Sequence, residues 1–249
     1  MGKRERLDKL LVDRGVVTSR EEGRRRILAG EVLVNDQPMT KAGSLVDPNA
    51  AVRLKGKSLP YVSRGGTKLE KALREFEIRI KDRIVLDVGA STGGFTDCLL
   101  THGARQVYAV DVGYGQLDWK LRKDPRVVVL EKRNIRYLKS EELPQSPDFA
   151  VIDVSFISLR LVLPSVKRLL SPQSEILALI KPQFEVGRGK VGKGGVVRCH
   201  EDHLRVIQEI QEAAVEIGLQ VKGVTESPLL GPKGNREFFI YLDKKGETR

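Results

Sequence analysis

The sequence predicts an α/β protein in which a doubly wound, mostly parallel sheet follows a small α+β module. Three observations carry this reading. From residue 67 onward, short apolar runs alternate with helical spacings, the pattern of strands and crossover helices. The first of these runs, at 84–88, passes directly into a glycine-rich turn and a further helix. Residues 1–58 differ in character: they carry 13 Lys and Arg against 8 Asp and Glu, and hold two short helix patterns followed by short strands.

Composition sets limits on function. With 249 residues, 40% hydrophobic and 31% charged, the chain suits one large folded domain with a small one beside it. No apolar run nears the ~20 residues that span a bilayer. The start, Met1-Gly2-Lys3-Arg4-Glu5-Arg6, has no apolar signal segment, and Arg6 stands where a myristoylation motif wants Ser or Thr. Cys98 and Cys199 are too few for a disulfide framework and are expected as free thiols in a cytoplasmic protein. Cys199, His200 and His203 crowd together, but no second ligand pair appears elsewhere; they read as a polar helix start, and no metal is expected. The net charge is +11, and its positive excess is about three times denser over residues 1–58 than beyond, so a polyanion such as nucleic acid is the expected partner.

In the N-terminal module, Leu7, Leu10, Leu11 and Val12 give a short amphipathic helix ending at Gly15. Thr18 or Ser19 caps a second helix, Glu21 or Glu22 completes a capping box, and Gly30 closes it. That helix displays Arg20, Arg24, Arg25 and Arg26. Val32-Leu33-Val34, a turn at Asn35-Asp36 and a strand near Val52-Arg53-Leu54 follow. An arginine-rich helix face is ordinarily only solvated surface. Here, however, Arg6-Leu7-Asp8-Lys9-Leu10-Leu11, Ser19-Arg20-Glu21-Glu22 and Gly30-Glu31-Val32-Leu33-Val34-Asn35 resemble the RNA-binding domain named after ribosomal protein S4. The resemblance covers about residues 4–57. It implies contact with the phosphate backbone of structured RNA, through Arg4, Arg6, Lys9, Arg20, Arg24 and Arg25.

Residues 59–66, with Pro60 and Gly65-Gly66, read as a linker between a 1–58 module and a 67–249 domain. In that domain strands are expected at 84–88, 106–111, 127–130, 148–153, 175–181, 219–226 and 236–242. Helices are expected near 67–77, 94–102, 116–122, 160–170 and 201–217. A Pro/Gly loop from Ser227 to Asn235 separates the last two strands.

The segment from Ile84 to Thr96 places Asp87 at a strand end, Gly89, Ser91, Gly93 and Gly94 in the turn, and Phe95 and Thr96 on the helix. The glycines let backbone approach a ligand, and the helix N-terminus opens on the same crevice, as in Rossmann-like folds. The spacing is not G-x-G-x-x-G, and a carboxylate at Asp87 repels a pyrophosphate but welcomes an amino group. Both details favour S-adenosyl-L-methionine over a dinucleotide. Asp111 ends the second strand, where a carboxylate accepts ribose hydroxyls. Asn134, just past the third strand, is an adenine contact or a turn residue. Gly187-Arg188-Gly189-Lys190-Val191-Gly192-Lys193 fits seven positions of a P-loop, but Gly194 lacks the hydroxyl that holds Mg²⁺ and no helix starts directly afterwards. A flexible basic loop closing over RNA is expected instead, with Arg188, Lys190 and Lys193 as contacts.

Asp153 ends the fourth strand and Lys181 the fifth, where an open parallel sheet keeps its ligand crevice. Glu237 reaches that edge if the last strand runs antiparallel. Lys68 lies on the domain's first helix, where periodicity does not place it. Charges at strand ends are often mere surface, but a Lys closing a strongly apolar strand beside an Asp closing its neighbour is harder to dismiss. The surrounding motifs are Ser63-Arg64-Gly65-Gly66-Thr67-Lys68-Leu69, Asp87-Val88-Gly89-Ala90-Ser91-Thr92-Gly93-Gly94-Phe95-Thr96, Asp153-Val154-Ser155-Phe156-Ile157-Ser158-Leu159, Ile180-Lys181-Pro182-Gln183-Phe184-Glu185 and Asn235-Arg236-Glu237-Phe238-Phe239. They resemble the FtsJ-like ribose methyltransferases and, together with the N-terminal module, the hemolysin-A/TlyA family of rRNA methyltransferases.

That resemblance spans nearly the whole chain. It implies a Rossmann-like S-adenosylmethionine-dependent methyltransferase sheet of seven strands, the last antiparallel, and a Lys-Asp-Lys-Glu tetrad at Lys68, Asp153, Lys181 and Glu237. It further implies Arg64 as an RNA contact, ribosomal RNA or ribosomal subunits as partner, and methyl transfer to a ribose 2′-hydroxyl, a cytidine's in rRNA. Lys181 then accepts or relays the hydroxyl proton, Lys68 acts on it by like-charge repulsion, and Asp153 and Glu237 orient both amines. The family name also carries a reputation for membrane lysis. The helix at 201–217 sets Leu204, Ile207, Ile210, Ala214 and Ile217 on one face, the spacing of a helix packed on a sheet, and Gln208, Glu209, Glu212 and Glu216 on the other, unlike a cationic membrane binder. A non-catalytic RNA-binding or assembly factor is the remaining alternative.

Overall fold

A computed structural model describes residues 4–35, 37–55, 60–187, 191–192 and 194–244. The chain divides into two compact units, Met1–Leu59 and Pro60–Arg249.

The small unit runs β1 (Glu5–Arg6), α1 (Leu7–Asp13), α2 (Arg20–Leu28), β2 (Val32–Val34), β3 (Gln37–Met39), β4 (Leu45–Val46) and β5 (Val52–Leu54). β2 is the centre of an antiparallel β3-β2-β5 sheet, and β1 pairs with β4. Leu7, Leu10, Leu11, Val17, Ile27, Val32 and Val46 form its core. The choice of cap for α2 falls on Ser19, whose Oγ accepts from Glu22 N at 3.1 Å while the Glu22 carboxylate accepts from Thr18 N at 2.8 Å. Asn35 takes the left-handed conformation expected of its turn, with φ 50°; Asp36 lies outside the described residues.

The large unit runs α3 (Arg64–Glu75), β6 (Ile84–Val88), α4 (Gly94–Thr101), β7 (Gln106–Asp111), α5 (Trp119–Arg122), β8 (Val127–Glu131), β9 (Phe149–Ile152), α6 (Leu159–Leu169), β10 (Ser174–Ile180), α7 (Pro182–Glu185), α8 (His200–Glu216), β11 (Gln220–Glu226) and β12 (Phe238–Lys244). One seven-stranded sheet has the order β11-β12-β10-β9-β6-β7-β8. β12 runs antiparallel to both of its neighbours, and the pairs from β10 to β8 are parallel. Parallel strands covered on both faces need apolar residues on both, and every residue of β6 and β9 is buried. Side chains alternate between two cores. Leu86, Tyr108, Ile152 and Ile180 point to the layer with α6 and α8, and Val85, Val107, Val151 and Leu179 to the layer with α3 and α4. Strand order reverses where β6 lies beside β9, which leaves a crevice at their carboxyl ends.

Three expectations need correction. Residues 60–66 are not a free linker: Tyr61 is buried, Ser63 Oγ accepts from Gly65 N at 3.3 Å, and α3 starts at Arg64. Gly66 lies within that helix and is glycine because of packing, since a Cβ there would collide with the Tyr61 ring. The helix expected at 116–122 begins only at Trp119, where Asp118 caps it by accepting from Lys120 N at 3.0 Å. On α8, Leu204 is exposed; His203, Val206, Ile210 and Ala214 form the buried stripe.

Candidate active site

The carboxyl ends of β6, β9 and β10 open into a cavity of about 280 Å³, lined by Lys68, Asp153, Lys181 and Glu237 together with Arg64, Gly89, Ser91, Gly94, Phe95 and the loop residues Leu230, Gly231 and Pro232. A second cavity of about 480 Å³ is lined by Asp111, Gln116, Asn134, Ile135 and Phe156 and shares Gly89, Ser91 and Asp153 with the first. The two form one crevice, and all four residues singled out as catalytic meet at one end of it.

Sheet register explains the meeting. Ile180 on β10 faces Phe238 on β12, so Lys181 and Glu237 sit one step beyond at the same edge. Lys181 is ion-paired with Asp153, and its Nζ donates to Ser155 Oγ at 3.1 Å. From α3, Lys68 Nζ lies 2.6 Å from Glu237 Oε2. Lys181 and Glu237 are both buried, and pairing each with an opposite charge is what makes that burial tolerable. The result is two lysine–carboxylate pairs side by side.

Gly231, Asn235 and Glu185 fall within the Pro/Gly loop and the motifs quoted above, but no spacing there shows what each one supports. Gly231 has to be glycine, because a Cβ there would collide with the Glu237 carboxyl. Asn235 is buried; its amide donates to Gly195 O at 2.9 Å and Pro232 O at 3.1 Å and accepts from Val197 N at 3.0 Å, fastening the loop over Glu237 to the strand-like segment beside it. Glu185 on α7 accepts from Ser158 Oγ at 2.6 Å and Leu159 N at 2.8 Å, tying the segment after Lys181 to the one after Asp153. Burial raises the Glu185 carboxyl above its usual range.

At the other end of the crevice, Asp111 accepts from Ser91 N at 2.8 Å and Gly113 N at 2.7 Å, which fixes its carboxylate while lone pairs remain for ribose hydroxyls. Asn134 lines the cavity and accepts from Arg136 N at 3.1 Å, the bond of a turn residue. Phe156, 90% exposed and at φ 63°, packs against Phe184 with ring centroids 4.9 Å apart. The turn itself is forced: a Cβ on Gly89, at φ 85°, would strike the Asp153 carbonyl.

Three residues expected on the wall lie beneath it. Gly93 faces Leu117 and Leu121, and Thr96 Oγ1 donates to Asp87 Oδ2 at 2.6 Å. Asp87 is fully buried, and its Oδ1 has no hydrogen-bond partner among the described residues. Burial pushes the carboxyl up to about 7. These residues fit S-adenosylmethionine: the Asp111 carboxylate on the cavity wall with acceptor capacity for ribose hydroxyls, apolar walls from Val112, Ile135 and Phe156 for a flat base, and an unmatched buried carboxylate oxygen under the turn.

Of the residues expected to meet RNA, Arg4, Arg25 and Arg64 are exposed, and Arg64 lines the catalytic end. Arg6, Arg20 and Arg24 all bond to Asp8. Lys9 is paired with Glu5 at 2.6 Å and Asp13 at 3.5 Å, which offsets its charge. Arg188, Lys190 and Lys193 lie outside the described residues. Cys199 Sγ donates to Glu201, and His203 Nε2 lies 3.0 Å from Val197 O, so Cys199 and His203 do not converge on a common point. Among the described residues no His, Cys, Asp and Glu group is placed to hold a metal ion, and no helix is long and apolar enough to cross a membrane.

Comparison with known proteins identifies the family and supports the fold. The FtsJ-like methyltransferase family matches residues 61–244, and the S4 domain family residues 5–52. The chain is 51% identical to YqxC of Bacillus subtilis over 98% of this chain and 88% of that one, a protein whose assignment as an rRNA methyltransferase is provisional. It is 46% identical to the 16S/23S rRNA (cytidine-2′-O)-methyltransferase TlyA of Mycobacterium tuberculosis over 97% of this chain and 91% of that one. A relative from Brachyspira hyodysenteriae, 41% identical over 95% of this chain and 99% of that one, is named Hemolysin A. A solved structure of a hemolysin-named protein from Streptococcus thermophilus superposes with a TM-score of 0.77 at 45% identity, covering 98% of this chain and 90% of that one. An S-adenosylmethionine-dependent methyltransferase from Mesorhizobium loti, at 15% identity, shares the fold with a TM-score of 0.54 over 73% of this chain and 100% of that one. With an S4 domain ahead of a sheet whose crevice gathers Lys68, Asp153, Lys181 and Glu237, the chain belongs to the FtsJ-like methyltransferase family.

Proposed function

We propose that the protein transfers the methyl group of S-adenosylmethionine to the ribose 2′-hydroxyl of a cytidine in ribosomal RNA. The observation that carries this reading is the crevice itself: two lysine–carboxylate pairs at one end, each with one buried partner, and the Asp111 carboxylate at the other. The chemistry agrees with the activity for which the M. tuberculosis relative is named.

Asp111 and Asn134 would hold the adenosine, and the backbone from Gly89 to Ser91, which lines both cavities, would hold the rest of the donor. When bound, S-adenosylmethionine supplies an electrophilic methyl group. The protein's part is to aim the hydroxyl and handle its proton. Lys181, fixed by Asp153 and Ser155, holds the 2′-oxygen and takes the proton as the oxygen attacks; an ammonium only donates, so Lys181 must release one proton before it accepts another. Lys68, held by Glu237, keeps a positive charge beside the developing alkoxide. Arg64 at the cavity mouth and the arginines of the S4 domain bind RNA phosphates. An rRNA substrate places the reaction in the cytoplasm.

The test is mass-spectrometric mapping of 2′-O-methylated nucleotides after incubating 16S rRNA, 23S rRNA and isolated ribosomal subunits with enzyme and donor. Lys181→Ala should abolish transfer and leave donor affinity within about threefold, since only the acceptor's proton is affected. Near-normal turnover by that variant would remove Lys181 from the mechanism. RNA binding with no transfer by the parent protein would instead indicate an assembly factor. The hemolysin name gains no support from α8, whose apolar stripe is already buried in the large unit.

A further inference from the structure

The start of α1 carries a charged group that the methyl-transfer chemistry does not use. Asp8 is 0% exposed, yet its two oxygens receive four N–H bonds from three arginines. Arg6 donates from Nε to Oδ1 at 3.0 Å and from Nη2 to Oδ2 at 3.1 Å. Arg20 Nη2 and Arg24 Nε reach Oδ2 at 3.0 and 3.1 Å. Arg6 comes from β1; Arg20 and Arg24, four apart on α2, share one helix face. All three side chains remain about half exposed, at 47%, 52% and 54%. One buried carboxylate thus gathers three guanidiniums whose outer portions stay in solvent, and it remains ionised because they hold it far below the usual carboxylate range, Arg6 foremost.

We propose that Asp8 is a positioning residue for RNA: it presets Arg6, Arg20 and Arg24 as a three-pronged clamp for neighbouring phosphates of the RNA backbone. A guanidinium has five N–H donors in a rigid fork, so fixing one edge on Asp8 directs the remainder outward for bidentate contact with phosphate oxygens. Ordering the three before RNA arrives removes part of the entropy loss that binding otherwise incurs. The inference rests on the RNA-binding role given to this unit under the proposed function.

Charge counting and the clamp predict opposite signs for Asp8→Asn. Deleting an acid from a chain of net charge +11 should tighten binding to any polyanion. The clamp predicts about tenfold weaker binding of the full-length protein to a 23S rRNA transcript near ~0.15 M salt, with a log–log salt slope shallower by about one to two. In a protein carrying Arg6→Gln, Arg20→Gln and Arg24→Gln, Asp8→Asn should add no further loss; an equal loss there would make Asp8 a purely structural residue. Unchanged or tighter binding by Asp8→Asn alone overturns the proposal. Should that variant not fold, the unmodified protein decides. The Arg6 and Arg24 Nε–H groups should be rigid by NMR relaxation before RNA is added, and free rotation overturns the clamp. If the triple-glutamine protein binds RNA as the parent does, the RNA-binding role of this face fails with the clamp. Failure of the methyltransferase reading shows separately, as absent transfer by the parent.

Discussion

Asp87 is a carboxyl group enclosed with no ion-pair partner among the described residues, and its titration connects stability to ligand binding. In the folded chain it keeps its proton up to about 7, against an ordinary value of 3.8, because burial disfavours the charged form. The native state therefore binds that proton more tightly than the unfolded chain. The stabilisation is fully present below about pH 4, declines as pH rises, and is gone above about pH 7. Raising a carboxyl from 3.8 to about 7 corresponds to about 4 kcal/mol between the two ends of that range. Donor-free protein should accordingly be less stable at pH 8 than at pH 5. Asp87→Asn should flatten this difference, unfold at higher urea at pH 8, and bind S-adenosylmethionine more weakly by calorimetry, as expected if the charge is retained for the donor's amino group. The same pH slope in both proteins would assign the titration elsewhere. Sequence placed Asp87 correctly at its strand end but not beneath the turn, because depth depends on helix α4 covering it through Thr96. Asp153 and Lys181 were legible for the converse reason: at the carboxyl edge of a parallel sheet, position along the chain is position at the site. Ser155, two residues past Asp153, bonds Lys181 through a loop conformation that no periodicity describes.

At the scale of elements, α6 and α7 tie together the segments that follow Asp153 and Lys181 through one side chain. Glu185 satisfies Leu159 N in the first turn of α6, where a carboxylate also meets the positive end of the helix dipole. Glu185→Ala leaves that buried N–H unmatched, takes the acceptor from the Ser158 hydroxyl, and should cost about 2–3 kcal/mol in urea unfolding. With Lys181 and Asp153 less firmly held, kcat should fall about tenfold while donor affinity stays nearly constant. Loss of donor binding of the same size would show that the effect is global unfolding. The strands themselves were readable almost to the residue, as at Ile84–Val88 and Gln106–Asp111, because strands covered on both faces are uninterrupted apolar runs. Short polar pieces were not: Gln37–Met39 and Pro182–Glu185 owe their form to a neighbouring strand and to the chain turning past Lys181. Gly65-Gly66 misled because glycine has two uses, breaking a helix and allowing close approach, and only the packed Tyr61 ring shows which applies.

For the whole molecule, the distribution of charge separates the two ligands. The first 58 residues carry a net +5 in a chain whose total is +11, and Arg6, Arg20 and Arg24 of the small unit stay about half in solvent. The crevice at the sheet edge is different, since its two lysines are matched by two carboxylates. Salt should therefore act on one ligand and spare the other. If about six phosphates are contacted, raising monovalent salt from about 50 to about 200 mM should weaken rRNA binding about 10³-fold through lost counterion release. Over the same range S-adenosylmethionine affinity should change by less than about threefold, because screening acts weakly on short, partly buried pairs. Parallel filter-binding and calorimetric titrations measure both. An rRNA affinity that ignores salt would mean that exposed rings such as Phe156, Tyr114 and Trp119 carry recognition by stacking rather than the arginines by charge. Equal losses for both ligands would mean that salt acts on the fold, since no other property of the chain is common to the arginine cluster around Asp8 and the paired charges beside Lys181.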